Sequence, residues 1–87
     1  MIGGAKVKLS VKGLALGIGI TWSIGQVLVG WVAIGGWGAE YVRVMSSIYI
    51  GFNPSFIGGI IGGVWGFADG FIGGALLAFF YNVFSNK

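Results

Sequence analysis

From Phe56 to Phe80 the chain reads FIGGIIGGVWGFADGFIGGALLAFF, with Gly58, Gly62, Gly66, Gly70 and Gly74 in an unbroken four-residue spacing and Gly59, Gly63 and Gly73 beside them. In a water-exposed helix each glycine costs about 1 kcal/mol relative to alanine, so such a run would not hold. In a bilayer the balance changes. Backbone groups without water bond within the helix, and small residues let two backbones approach closely. The run therefore reads as a transmembrane glycine zipper. At about 100° per residue, Gly58, Gly62, Gly66 and Gly73 share a face with Asp69, the one acid of the segment. Ile57, Ile60, Val64, Phe67 and Phe71 form the opposite, lipid-suited face.

Composition supports a membrane setting. Of 87 residues 56% are hydrophobic and only 8% charged, which excludes a disordered chain. Mean hydropathy is +0.95, high for a soluble domain. The chain has no cysteine and no histidine, so disulfides, thiol chemistry and the usual zinc, copper or haem sites are closed to it, and no cofactor is expected. Its net charge of +3 is not a nucleic-acid signal. Lys6, Lys8 and Lys12 crowd the start and Lys87 ends the chain, flanking apolar segments instead of forming a basic face.

In chain order, residues 1–13 form a basic lead-in whose lysine stems can lie along a membrane surface. A first apolar span covers 14–36, enough at about 1.5 Å per residue to cross roughly 30 Å of hydrocarbon. It is too long for the apolar core of a signal peptide, which runs about 7 to 15 residues. Ala15, Gly19, Trp22, Ser23, Gln26, Gly30 and Ala33 fall on one side of it, facing a second helix, and Leu14, Ile20, Ile24, Leu28, Trp31 and Val32 fall on the other. Residues 39–55 form an extracytoplasmic connection. Tyr41, Val44, Met45, Ile48 and Tyr49 recur at helical spacing there, predicting a short amphipathic helix in the interface, with Glu40 and Arg43 as an exposed pair. Asn53-Pro54-Ser55 is a turn, and the second span covers 56–82. Trp37, Tyr41 and Tyr81 are interface anchors. Lysines at both ends against one arginine in the connection place both termini in the cytoplasm, in a multi-pass protein of the cytoplasmic membrane.

Asp69 lies at the centre of the second span, where an acid costs about 2.5 to 3.5 kcal/mol on insertion scales. One reading has it lining a polar path, or holding a proton or monovalent cation, with one copy from each subunit in a ring. The other has it bonding Gln26, Ser23 or Thr21 of the first span and fixing register. Gln26 is its natural partner, since the depths match if the spans run antiparallel. Gly19 and Gly30 of the first span join Gly58, Gly62, Gly66, Gly70, Gly73 and Gly74 as the helix-packing surface. So many glycines offer more small surface than one partner uses, which implies a homo-oligomer. Catalysis finds no support, because no nucleophile and base pair exists and no second acid stands near Asp69.

The string Gly62-Gly63-Val64-Trp65-Gly66-Phe67-Ala68-Asp69-Gly70-Phe71-Ile72-Gly73-Gly74, followed by Tyr81-Asn82, resembles the signature of a family of small two-helix prokaryotic membrane proteins, many labelled bacteriophage holins. Lys8 to Leu16 is similar to that family's start. The resemblance implies a two-helix oligomer and makes Asp69 a family feature. The expectation is an all-α membrane protein, two transmembrane helices in an antiparallel hairpin with a short interfacial helix between them, joined by glycine-zipper packing into a homo-oligomer in the lipid bilayer. Its expected function is pore-like or holin-like, with Asp69 and Gln26 at a polar constriction. The alternatives are a non-conducting structural subunit and an ion-carrying proteolipid-type ring.

Overall fold

Helix formation begins at Ser10, which sits in extended backbone and accepts a 3.0 Å bond from the Gly13 amide on its hydroxyl. That cap satisfies one of the unpaired amides of a first turn and starts α1 (Val11–Val32) ahead of the expected Leu14. A 3₁₀ turn, Ala33–Gly35, extends it to Gly36. The chain then reverses on Gly36 and Gly38, at φ of 104° and 74°, a backbone that favours glycine. The short α2 (Ala39–Met45) follows, and after a series of turns α3 (Phe56–Ser85) completes an all-helical body of 51 × 21 × 18 Å. The computed structural model describes residues 8–85, so Lys6, Lys87 and the lead-in through Val7 lie outside the described residues.

Two helical stretches are long and apolar enough to cross a membrane, Val11–Gly35 and Phe56–Ser85. Only 22% and 28% of their most apolar windows are buried, the reverse of what a soluble core helix presents. Ile20, Ile24 and Leu28 of α1 point outward, as do Ile57, Ile60 and Val64 of α3. α1 buries Ala15, Gly19, Gln26 and Gly30.

What those residues meet is backbone. Leu14 and Ala15 lie against Gly74, Ile18 and Gly19 against Gly70, Gln26 against Gly66, Val27 against Gly63 and Gly30 against Gly59, so residue numbers fall along α3 as they rise along α1. A Cβ on Gly30 would stand 2.6 Å from the Gly59 Cα, and one on Gly70 2.9 Å from the Gly19 Cα. No side chain larger than hydrogen fits there. At the far end Leu9 and Asn82 exchange two hydrogen bonds, with the Leu9 amide donating at 2.8 Å and the Asn82 amide at 2.9 Å.

The glycines do not all face α1. Four residues advance a helix by about 400°, so each successive glycine steps about 40° around α3. Gly70 and Gly74 face α1, whereas Gly58 and Gly62 face the connection, packed by Asn53 and by the Phe52 ring. Gly73, expected in the packing surface, meets nothing within 4 Å and is exposed. The connection ends short of it.

The connection also differs from the expected amphipathic helix. α2 stops at Met45, where the hydroxyls of Ser46 and Ser47 bond back to the carbonyls of Arg43 and Val44 at 2.6 and 2.9 Å. Its inward residue is Val42, fully buried, while Val44, Ile48 and Ile50 point outward. Val42, Tyr49, Phe52 and Ala33 form the protein's buried apolar cluster, so the connection folds back against the helix pair.

Gly30→Ala should destabilise the protein by about 1 to 3 kcal/mol, the usual range for overpacking. Gly73→Ala should leave thermal stability in detergent unchanged, since its Cβ meets open space. Equal effects of the two substitutions would contradict the α1–α3 contact.

Candidate functional site

Asp69 lies near the middle of α3, on the edge that Gly58 and Gly62 share, and so on the side the connection covers. Gly51 turns the connection toward this edge at a φ of 93°, packed on Ile61. Tyr49 is thereby carried down α3 and donates its hydroxyl to Asp69 Oδ2 at 2.6 Å. The Trp22 indole donates to the same tyrosine oxygen at 3.3 Å, making a chain Trp22–Tyr49–Asp69 across α1, connection and α3. Trp65 fixes the tyrosine ring. Its indole stacks at 5.9 Å between centroids and 11° between planes, and its N–H donates to the Ile50 carbonyl at 2.9 Å.

Gln26 is not the partner of Asp69. It is buried against Gly66, and its side-chain oxygen accepts from the Tyr41 hydroxyl at 3.1 Å. Ser23 donates to the Gly63 carbonyl at 2.8 Å, a bond between α1 and α3. Thr21 stands exposed on the outward side of α1 with Ile20 and Ile24. Three of the four polar candidates are therefore held in separate bonds, and Thr21 stands apart from them. Asp69 alone is exposed on the side of the connection, while Gln26 and Ser23 are used internally.

Two of these polar groups thus take a tyrosine from the connection, Gln26 from Tyr41 and Asp69 from Tyr49. Spacing along the chain carries no sign of this pairing, because it depends on the turns after Met45. Trp37 and Tyr81 are exposed, and Tyr41 is the anchor candidate that turns its hydroxyl inward. Glu40 and Arg43 pair on the surface of α2, with Arg43 Nε 3.0 Å from Glu40 Oε2. Hydrogen bonding and charge there hold the Glu40 carboxyl below its usual range and the Arg43 guanidinium above its own.

Among the described residues no three metal-ligating side chains come together. The chain matches no protein-family model, no curated protein and no solved structure.

Burial pushes the Tyr49 hydroxyl up to about 12 from its ordinary 10.0, and the Asp69 hydrogen bond acts in the same direction. The folded chain holds this proton more tightly than an unfolded one. The stability that follows is complete below about pH 10 and is lost as the pH rises toward about 12. A tyrosinate absorbance titration should show a late phase near pH 12 that Tyr49→Phe deletes. Loss of amplitude near pH 10 in that variant would mean that Tyr49 is not seated at Asp69.

Proposed function

We propose that the chain is a small pore-forming membrane protein of the holin-like kind, in which α1 and α3 span the cytoplasmic membrane as an antiparallel hairpin closed by a glycine zipper. Copies associate along the flank that carries Asp69, with both termini cytoplasmic and the connection folding in from the outer side to reach mid-helix. The observation that carries this reading is the exposed Asp69 at mid-helix, whose carboxyl is held on one oxygen among the described residues.

Magnitudes decide what that carboxylate needs. A charge at the bilayer centre costs about 2.5 to 3.5 kcal/mol, and a hydrogen bond between membrane helices returns on average about 0.6 kcal/mol. The Tyr49 bond is too weak to offset the charge. Water, a cation, a proton or a neighbouring subunit must supply the difference, and a polar path between subunits supplies it. The Gly58 to Gly74 ridge is taken up within the chain, so the subunit contact moves to Gly73 beside Asp69 and to Gly17 and Gly25 of α1, where a Cβ would meet nothing within 4 Å. Gln26, under Tyr41, stays off this path.

The Tyr49–Asp69 bond favours a second reading, a non-conducting subunit in which the acid locks the connection in place. Liposome leakage separates the two. The wild type should release a small cationic dye, and Asp69→Asn should slow release about tenfold or more, equivalent to about 1.4 kcal/mol. Glu40→Gln, which alters only an exposed surface pair, should release dye at the wild-type rate. Tight liposomes with wild-type protein would assign it the non-conducting role.

A further inference from the structure

Beside Asp69 lies a shallow pocket of about 250 Å³ walled by Ile48, Tyr49, Trp65, Ala68 and Ile72. We propose that this pocket binds a lipophilic organic cation, a tertiary or quaternary ammonium with apolar substituents, that enters from the membrane through the seam between neighbouring copies. The proposal rests on the membrane reading above but not on conduction.

The chemistry of the walls narrows the ligand. Every polar donor at the site is already committed: the Tyr49 hydroxyl to Asp69, the Trp65 indole to Ile50 and the Trp22 indole to Tyr49. A ligand that must receive hydrogen bonds finds none. Asp69 Oδ1 has no hydrogen-bond partner among the described residues, so one carboxylate oxygen is left as an acceptor of charge. A bare metal ion needs several oxygen ligands, and besides that carboxylate the lining side chains bring one other oxygen, the Tyr49 hydroxyl, already given to Asp69. An alkylammonium needs few or none. Its charge is met by the carboxylate and by aromatic faces, and its substituents by Ile48, Ala68 and Ile72. The volume is below the roughly 300 Å³ of the smallest typical ligand pockets, so it suits a cationic head whose tail stays in lipid.

The groove on another flank of the helix pair makes the contrast. It is larger, about 420 Å³, but is lined by Ile20, Ile24, Val27 and Phe67, and its Ser23 hydroxyl is given to the Gly63 carbonyl. It has no charge to offer and suits an acyl chain. Only a carboxylate gives the pocket at Asp69 a preference for cations over neutral lipid.

The test uses the whole chain in lipid nanodiscs, with dicyclohexylcarbodiimide as a membrane-soluble reagent for carboxyl groups and the adduct on Asp69 located by peptide mass. Benzyldimethyldodecylammonium should slow labelling of Asp69 about tenfold or more, whereas dodecylbenzene, its uncharged counterpart, should not. Trp65→Leu should raise the concentration giving half protection by about threefold or more, through the lost aromatic face. Three results overturn the proposal: no labelling of Asp69, labelling indifferent to the ammonium, or equal protection by the uncharged compound. Leakage without protection would remove this site and leave the pore. Protection without leakage would do the reverse.

Discussion

The whole arrangement depends on α3 having almost no side chains along the side where two other segments reach it. Gly59, Gly63, Gly66, Gly70 and Gly74 let α1 press its own backbone and small residues against the helix axis. Dispersion between closely packed atoms is small per contact and large in sum, and in lipid it replaces the hydrophobic drive that water provides. Any side chain at the tightest crossing, Gly30 against Gly59, would separate the helices. The same ridge then winds around α3 by the mismatch between four residues and one turn. Its first glycines leave the α1 contact and offer a slot to the connection, which Phe52 and Asn53 fill.

That shared ridge explains why the polar groups pair as they do. Once Phe52 is seated at Gly62, the turns after Met45 run along α3 and place Tyr49 at Asp69. Irregular backbone close to a bilayer is tolerated where protein satisfies its polar groups, and Trp65 does this for the Ile50 carbonyl. Among the described residues no buried side-chain nitrogen or oxygen lacks a partner. Tyr41 and Tyr49 bring an apolar ring and a single donor, which matches a site that has one acceptor at the end of an apolar slot.

The inward side of α1 could be read from Ala15, Gly19, Gln26, Gly30 and Ala33, because small and polar residues at helical spacing stand out in an apolar span. The outward side of α3 was legible for the same reason. The partner of Asp69 was not. Depth matching selects Gln26, but the actual donor, Tyr49, comes from the turns after α2, and the path of the connection is set by Gly36, Gly38 and Gly51 at positive φ. In the connection, Tyr41, Val44, Met45, Ile48 and Tyr49 suggest one apolar stripe, yet of these only Tyr49 is buried and Met45 partly so, and Val42 joins them, because α2 ends at Met45 and its packing is set by the turns around it. Gly73 misled by the same route. Its angle on the helix is right for packing, but the connection stops short of it.

The central claim is that α3 is shared between α1 and a connection that folds back to mid-helix. The chain has no cysteine, so a pair introduced as Ile48→Cys and Ile72→Cys, both lining the pocket at Asp69, gives a clean probe in a bilayer. Treatment with a short bismaleimide should link the two within one chain, giving an internally bridged monomer after denaturation. Two free or singly capped cysteines, or links between chains alone, would show that the connection does not lie against α3.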